Sequence, residues 1–484
     1  MDPSIISYFK LIVADTAFWR LFYCWLRWRT FALILAIFYV FKFASIVLKG
    51  LLPVAAEDAT FGPVTKTGRE RVTSISKING VLDFKEVRET LKKNLDRPNF
   101  YRLKYVMVRF LGSQYITKKP NFDWDDHIRL DETSLKSVKE VEEKCHQQRL
   151  DLAKGIIWKF TYFKNGPEGD SYMLFEFHHG LMDGNSMIQL LTTAYGCDPK
   201  TTRIPPKGSV AGFFKDFLSK MLLPLTFPLL FYNAHFAVPK DSHVYTDTAQ
   251  VPTHSSVHYK YVDLSAIKKI AKMHNLTVSS VIIYWLNKAF MQFYPEGSKI
   301  KGNESAKITS LKTMIACSHR NVVPQDEGFY LYNESKVDYV TVKGDQSVED
   351  MRKELSQNYR EFMGGTFRRW SQQNVISLFG ILFVDIMIFI AMLLVSPIMR
   401  ATFISSSIAG PSTEVRFLGK TVERISMAAE IPFLCTSGCC YAGWGKTMTL
   451  AIFINERVLQ GDDSKKLLAA LHQAIEDDLK VVQQ

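Results

Sequence analysis

Residues 171–189 read S-Y-M-L-F-E-F-H-H-G-L-M-D-G-N-S-M-I-Q, and this stretch decides how the rest of the chain is interpreted. Ser171–Phe177 is dominated by aromatic and large apolar residues, which predicts a buried β-strand. Gly180 interrupts the strand pattern, and Gly184 opens a short apolar helix. The two histidines and the aspartate of the stretch are therefore expected in a turn at the end of a rigid strand, where functional sites are commonly built.

These polar residues form the pattern His178-His179-x-x-x-Asp183-Gly184. A histidine with a pKa near neutrality can take a proton from an alcohol while the alcohol oxygen attacks a thioester carbonyl. Asp183 could fix the loop through an arginine or orient the imidazole, and Gly184 leaves room for close approach of another segment. Solvated surface histidines are the alternative. Metal binding is not expected, because adjacent histidines on a strand point to opposite faces.

The pattern H-H-x-x-x-D-G resembles the signature of the CoA-dependent acyltransferase superfamily, and its flanks resemble the wax ester synthase/diacylglycerol acyltransferase branch. Arg149–Trp158 is similar to a run of that branch ending in Pro-Leu-Trp, and Asp126–Arg129 to its His-Val-Arg element. Ser405–Pro411, followed by Phe417–Lys420, resembles its Ser-Asn-Val-Pro-Gly-Pro block and following glycine. The resemblance extends over about residues 60–480.

The chain departs from the branch at two of these elements. Ile156-Ile157 stands where the branch has Pro-Leu, and Ala409 stands where it has the first proline. Tyr441–Lys446 is similar to the Asp-Phe-Gly-Trp-Gly motif of plant acyltransferases but lacks its aspartate. We interpret this last stretch as a turn between two strands, which Gly443 and Gly445 suit.

The resemblance implies an α/β (α+β) fold of two chloramphenicol-acetyltransferase-like lobes with a tunnel between them. It implies His179 as general base, with His178 and Asp183 as its partners in the catalytic motif. Arg320 is expected to hold Asp183 across the lobes, or else to be an ordinary surface arginine. The further expected site residues are two supporting residues, Gly184 and Asn333 (the latter alternatively an ordinary turn asparagine), and four tunnel residues, Trp158, Ser407, Gly410 and Pro411.

The function implied is transfer of a long-chain acyl group from acyl-CoA to a lipophilic alcohol. The acceptor would be a fatty alcohol or diacylglycerol, giving wax ester or triacylglycerol. Acyl-CoA would be a co-substrate, and no cofactor is expected. Two alternatives remain: a catalytically silent lipid-binding or lipid-transfer protein of the same fold, and an acyltransferase acting on a non-lipid acceptor.

Composition narrows the class of partner. The 484 residues are 47% hydrophobic, include 34 Phe and carry a net charge of +12. No nucleic-acid-binding signature is present, so anionic lipid or the phosphates of CoA explain the positive charge better than nucleic acid does. The seven cysteines do not suggest a disulfide framework, which favours a reduced, cytosol-facing catalytic domain.

We divide the chain into four regions. Residues 1–56 are predicted to be a membrane anchor, residues 57–240 a first acyltransferase lobe with the histidine motif, and residues 241–256 a linker. An internal core helix is the alternative for the apolar stretch of the anchor. Residues 257–484 are predicted to be the second lobe, with residues 375–399 as an apolar membrane-associated helix or, alternatively, a second membrane span. Such segments predict a membrane location, at the endoplasmic reticulum or lipid droplets.

Helical periodicity adds two elements to the first lobe. Val81–Leu95 predicts an amphipathic helix with Val87, Leu91 and Leu95 facing inward. Ser134–Gln148 predicts a second, highly charged helix with a solvated face. Ile156–Phe163 predicts a strand that leads through a turn at Gly166–Gly169 into the histidine strand as a hairpin. In the second lobe, Asp263 is expected to cap a helix that runs through Lys272.

Overall fold

The structure is a computed structural model of the chain. It describes residues 37, 40, 41, 44, 45, 47–53, 71–110, 113–197, 255–293, 310–318, 331, 335–343, 349, 350, 353, 401–429, 435–455 and 462–483.

Fifteen strands and six helices of eight or more residues make up the described fold. The strands are β1 (Leu52–Pro53), β2 (Arg71–Ile78), β3 (Tyr105–Phe110), β4 (Ser113–Lys118), β5 (Ile128–Asp131), β6 (Trp158–Phe163), β7 (Ser171–His178), β8 (Ser255–Asp263), β9 (Ser310–Ser318), β10 (Ser335–Lys343), β11 (Ala401–Ala409), β12 (Val415–Phe417), β13 (Lys420–Ala429), β14 (Cys435–Trp444) and β15 (Thr447–Asn455). The helices are α1 (Phe84–Leu95), α2 (Val138–Gln147), α3 (Gly184–Ala194), α4 (Leu264–Met273), α5 (Val278–Phe293) and α6 (Asp462–Gln483).

The first large sheet has six strands in the order β12-β13-β2-β7-β6-β5. Its interior strand β7 is the strand predicted at the centre of the sequence motif, and every residue from Ser171 to His178 is buried. β7 pairs antiparallel with β2 on one side and with β6 on the other, so β6 and β7 form the predicted hairpin. Because both neighbours are hydrogen-bonded along its length, β7 delivers the histidines from a rigid position.

Helices α1 and α3 cover one face of this sheet, and α2 covers the other. Val87, Leu91 and Leu95 of α1 are buried in the same apolar cluster as Phe175 and Phe177 of β7, which confirms the predicted inward face. On the opposite face, α2 packs over the strands through a smaller cluster that contains Val141, Cys145, Tyr172 and Leu174. The alternation of side chains along β7 therefore places consecutive residues in two different environments.

Both predicted helices of this lobe begin later than the periodicity suggested. α1 starts at Phe84 because the carboxylate of Asp83 accepts from the backbone N–H of Glu86, at 3.1 Å. α2 starts at Val138 because the hydroxyl of Ser137 accepts from the N–H of Glu140, at 3.2 Å. A side-chain acceptor satisfies an otherwise unpaired N–H in the first turn and so fixes where each helix starts.

The second large sheet also has six strands, in the order β10-β9-β11-β14-β15-β8. Helices α4, α5 and α6 pack against it around the fully buried Trp285, whose indole N–H donates to Asp478 at 2.7 Å. Asp263 caps α4 as predicted, and the described turn between β14 and β15 lies at Gly445-Lys446, with Gly443 still inside β14. Two mixed α/β lobes are thus present.

The two lobes share one piece of chain. Strands β12 and β13 follow β11 of the second sheet, yet they pair into the first sheet beside β2. The predicted boundary at residue 257 stays a prediction, but the first sheet takes its edge from residues 415–429. The lobes are therefore joined through backbone hydrogen bonds as well as by side-chain contact.

A third, smaller sheet has the order β1-β4-β3 and links the N-terminal region to the first lobe. Among the described residues, no helix combines the length and apolar character that a membrane crossing requires. Most of the predicted anchor, the linker up to residue 254 and the apolar helix at 375–399 lie outside the described residues. Arg320 and Asn333 also lie outside them.

Candidate active site

The two adjacent histidines have different surroundings. His178, the last residue of β7, is fully buried, and its backbone N–H donates to the carbonyl of Ile157 at 2.8 Å. Its Nδ1 accepts from the N–H of Gly180 at 3.1 Å, so the proton of the neutral ring is on Nε2. His179 begins a three-residue turn, His179–Leu181, and is partly exposed. The ring of His178 is thus held by the backbone, while His179 is partly exposed.

Asp183 starts the helix that follows the motif. Its side chain is fully buried, and Oδ1 accepts from the backbone N–H of Ser186 at 2.8 Å. A carboxylate in this position satisfies an unpaired N–H and is favoured by the positive end of the helix dipole. The aspartate therefore fixes where α3 begins relative to the histidines.

Gly184 is where the second lobe meets the motif. A Cβ atom at this position would lie 2.2 Å from Cδ1 and 3.0 Å from Cγ1 of Ile408, at the end of β11. Real Cβ atoms do not approach other atoms so closely, so only glycine allows this contact without movement of Ile408. Ile408 is itself buried with the apolar core of the first lobe.

The remaining residues of the C-terminal block are bound to the turn after β14. The N–H of Gly410 donates to the carbonyl of Gly443 at 2.9 Å, and a Cβ atom on Gly410 would lie 2.2 Å from that oxygen. The carbonyl of Pro411 accepts from the N–H of Gly445, also at 2.9 Å. Ser407 is exposed. The Gly-Pro pair therefore closes the end of the second sheet against the neighbouring turn.

Trp158 connects several elements of the first lobe. Its indole is fully buried, and Nε1–H donates to the carbonyl of Leu103 at 2.7 Å. The ring of His127 stacks on it with centroids 4.4 Å apart, and Nδ1 of His127 donates to the Trp158 carbonyl at 2.8 Å. Burial lowers the pKa of His127 to about 4, so the ring is neutral at neutral pH. Whether Trp158 lines a tunnel stays a prediction.

Three charged residues form a buried cluster behind the histidines. Glu176, two residues before His178, is fully buried between Arg71 and Lys159. Its two carboxylate oxygens lie 2.8 Å from Nη1 of Arg71 and 3.0 Å from Nζ of Lys159. Both cations are also buried, so the carboxylate compensates two charges that have little access to water. Arg71 lies directly opposite His178 in the pairing of β2 with β7.

The same cations hold the chain that leaves α2. Arg71 donates to the carbonyls of His146, at 3.0 Å, and of Gln148. Lys159 donates to the side-chain oxygen of Gln148 at 3.2 Å and to the carbonyl of Arg149 at 3.4 Å. The charged cluster therefore ties residues 146–149 to the strand that delivers the histidines.

A polar seam joins α2 to strand β8 of the second lobe. The hydroxyl of Tyr261 donates to Oε1 of Glu142 at 2.7 Å, and the guanidinium of Arg424 lies 4.1 Å from the Tyr261 ring centre. The hydroxyl of Tyr259 lies 3.0 Å from Nε2 of His146. Burial, and after it the charge of Arg71, lowers the pKa of His146 to about 4, so neutral His146 accepts this hydrogen bond.

Sequence reasoning did not predict four charged residues that lie close to the histidine motif: Arg71, Arg102, Lys159 and Glu176. A signal was present for one of them, because Glu176 is a charged residue inside the apolar run F-E-F of a strand predicted to be buried. A buried carboxylate needs a cation, but which arginine or lysine supplies it depends on strand pairing.

Two mixed sheets, with the histidine motif at the end of an interior strand, define a two-lobed fold of the acyltransferase and condensation-domain type. A solved wax ester synthase/diacylglycerol acyltransferase from Marinobacter aquaeolei VT8 superposes with a TM-score of 0.57 at 12% identity, covering 90% of this chain and all of that one. The first condensation domain of the calcium-dependent antibiotic synthetase, with a substrate analogue, gives 0.62 at 12%, covering 89% and 97%. A starter condensation domain of rhizomide synthetase in complex with C8-CoA and Leu-SNAC gives 0.59 at 9%, covering 91% and 96%.

At these identities the solved structures show the fold alone. In sequence, residues 64–216 match the model of the wax ester synthase/diacylglycerol acyltransferase catalytic domain. The family resemblance predicted from the motifs is confirmed, and the chain is an acyl-CoA-dependent acyltransferase. None of the curated protein sequences compared with the chain matches it.

Proposed function

We propose that the chain transfers a long-chain acyl group from acyl-CoA to a lipophilic alcohol, with His179 as the general base. The observation that carries the proposal is the contrast within the histidine pair: His178 is buried and bound through its ring to the N–H of Gly180, while His179 is partly exposed. The neighbouring contact of Gly184 with Ile408 supports a site that faces the second lobe.

In the proposed reaction His179 removes the proton of the acceptor hydroxyl while the hydroxyl oxygen bonds to the thioester carbonyl carbon. The carbon–sulfur bond then breaks, and the imidazolium returns the proton to the departing CoA thiolate. The products are an ester and free CoA, and the histidine ends as it began. No acyl-enzyme is needed, because holding both substrates together supplies much of the rate enhancement.

A membrane-soluble acceptor, either a fatty alcohol or diacylglycerol, fits the chain better than a polar one. The described residues near the N-terminus expose large apolar side chains: Ile37, Val40, Phe41, Val47 and Leu48, the last 86% exposed. Apolar surface of this kind favours contact with lipid. Lys49 lies 4.4 Å from the ring centre of Phe110 and so connects this region to β3. We accordingly propose a membrane location, at the endoplasmic reticulum or lipid droplets, with a cytosol-facing catalytic domain.

The test is transfer of a labelled long-chain acyl group from its CoA ester, in membranes that contain the wild-type protein or its His179→Ala variant. Hexadecanol, diacylglycerol and cholesterol are offered in parallel, and the ester that forms identifies the acceptor. Loss of a general base lowers the rate by about 10²- to 10⁴-fold. The matched control is His274→Ala, which removes a partly exposed histidine at the end of α4 and is expected to leave transfer unchanged.

Two results would overturn the proposal. If His179→Ala keeps the wild-type rate, His179 is not the base. If the wild-type protein forms no ester with any acceptor yet binds the labelled lipid, the lipid-binding alternative replaces the catalytic one.

A further inference from the structure

Arg102 is a buried arginine close to the histidine motif. It lies in the helical turn Pro98–Lys104, between the apolar side chains of Phe100 and Leu103, and only 5% of its surface is exposed. A guanidinium stays charged at any physiological pH, so its burial is tolerated only where acceptors replace water. The contacts of Arg102 therefore indicate what the side chain is there to hold.

One nitrogen of the Arg102 guanidinium reaches two separate parts of the chain. Nη1 donates to the carbonyl of Leu181 at 3.1 Å and to the carbonyl of Leu331 at 2.7 Å. Leu181 lies inside the motif, between His179 and Asp183. Leu331 is 229 residues from Arg102 in sequence, and its fully buried side chain belongs to the core of the first lobe.

The contact completes the fixation of a short loop. At the start of the loop the ring of His178 accepts from the N–H of Gly180, and at the end Asp183 caps α3 through Ser186. The carbonyl of Leu181 lies between these two points, and Arg102 supplies it with a charge-assisted hydrogen bond. His179 is thus carried by a loop that is held before, within and after the turn.

We propose that Arg102 is a positioning residue for the transfer reaction. It fixes the carbonyl of Leu181 and, through its second hydrogen bond to Leu331, holds residues 178–183 at a set position relative to the chain that follows strand β9 of the second sheet. The inference rests on the proposed function, because it assigns Arg102 a role in aligning His179. Arg102 acts through the backbone and does not touch substrate in this assignment. Its burial and its two carbonyl acceptors make it unsuited to binding a phosphate of CoA, which would need an accessible guanidinium.

The test compares Arg102→Met, Arg102→Lys and a matched control, Arg97→Met, at the exposed arginine that precedes the same turn and makes no capping hydrogen bond. A small misalignment of a reacting group costs up to about 10²-fold, so we expect Arg102→Met to lower kcat by about 10- to 100-fold. KM for acyl-CoA is expected to change less than kcat. Arg102→Lys keeps the charge but not the planar fork, and is expected to recover part of the loss.

A second acceptor separates misalignment from general damage. An alcohol with a lower pKa needs less help from a general base, so a partly fluorinated long-chain alcohol should restore most of the activity of Arg102→Met. Partial unfolding would instead lower transfer to both alcohols equally. Hydrogen exchange should also rise at residues 180–183 in Arg102→Met and stay unchanged in Arg97→Met.

The outcomes distinguish the two proposals. If His179→Ala is inactive but Arg102→Met keeps the wild-type kcat, Arg102 is not a positioning residue and the proposed function stands. If Arg102→Met loses transfer to both alcohols equally, the role is structural and the inference is overturned. If Arg102→Met does not fold, Arg102→Lys is judged by the same comparison of acceptors. If His179→Ala is fully active, the proposed function fails first.

Discussion

The two faces of β7 bury side chains of opposite character. Phe175 and Phe177 point into an apolar core under α1 and α3, where the rings stack on each other with centroids 5.3 Å apart. Glu176, between them in sequence, points to the other face and meets Arg71 and Lys159 under the chain that leaves α2.

The difference teaches how the strand is held on each side. The apolar face is stabilised by the removal of apolar surface from water, and this effect does not depend on the direction of individual contacts. The charged face is stabilised only while all three charges and their hydrogen bonds remain in place, because the cost of burying each charge must be offset by its partners. The charged face is therefore the more specific and the more easily broken of the two.

The largest expected effect comes from removing the central charge. Glu176→Gln leaves Arg71 and Lys159 buried without an anion, and breaking such a group costs about 3–5 kcal/mol of unfolding free energy. Chemical denaturation of the purified protein measures this loss. A matched change on the apolar face, Phe175→Leu, is expected to cost about 1 kcal/mol.

A triple variant sharpens the contrast. Arg71→Met, Lys159→Met and Glu176→Leu together remove the cluster without leaving a charge behind, so the triple variant is expected to be more stable than Glu176→Gln alone. Because the donors to residues 146–149 are also gone, hydrogen exchange should rise in that segment. A triple variant as unstable as Glu176→Gln would show that the loss in Glu176→Gln does not come from the uncompensated charges of Arg71 and Lys159.

Lowering the pH tests the apolar side of the lobe. The pKa of His127 is about 4 in the folded protein, against an ordinary value of 6.5, because the ring is buried against Trp158. As the pH falls below 6.5 the unfolded chain takes up the proton first, so the free energy of unfolding is constant above pH 6.5 and falls toward pH 4, by about 3 kcal/mol for this group.

The measurement is the free energy of unfolding from pH 7 to pH 4 in wild type and in His127→Asn, which keeps a donor near the Trp158 carbonyl but does not titrate. The variant's curve should be flatter by about 3 kcal/mol over this range. Parallel curves for the two proteins would mean that protonation of His127 does not lower the free energy of unfolding.

The smallest expected effect concerns the contact between the lobes. Gly184→Ala places a methyl group against Cδ1 of Ile408 and is expected to cost about 1–2 kcal/mol, because the core must shift to make room. Ile408→Val removes that carbon, so the double variant should lose less stability than the sum of the single changes. Strict additivity in this double-mutant cycle would contradict the close contact.

The sequence predicted much of what local pattern controls. β7 and its hairpin with β6, the inward face of α1 and the cap of α4 by Asp263 all follow from residue order within a few turns of chain. The resemblance to the family also follows from the sequence, since its motif is local. The sequence singles out the two histidines as a pair, and their role stays a prediction; only the structure shows which of them is buried.

What the sequence did not predict depends on distant pairing. Arg71 reaches Glu176 only because β2 lies beside β7, and Arg102 reaches the motif through a backbone carbonyl, which leaves no trace in residue identity. Ile408 lies within Ser405–Pro411, the block that resembles the family, yet its contact with Gly184 depends on how the lobes dock. Periodicity and composition carry no information about such contacts.

The pairing of β13 with β2 also has a consequence for biosynthesis. Thr73 on β2 donates to the carbonyl of Ala428 on β13, a separation of 355 residues. During translation one edge of β2 therefore stays without its partner until nearly the whole chain has left the ribosome. Unpaired edges and long-range pairings slow folding and expose nascent chains to aggregation, so production of this protein should depend on chaperones that shield the β2 edge.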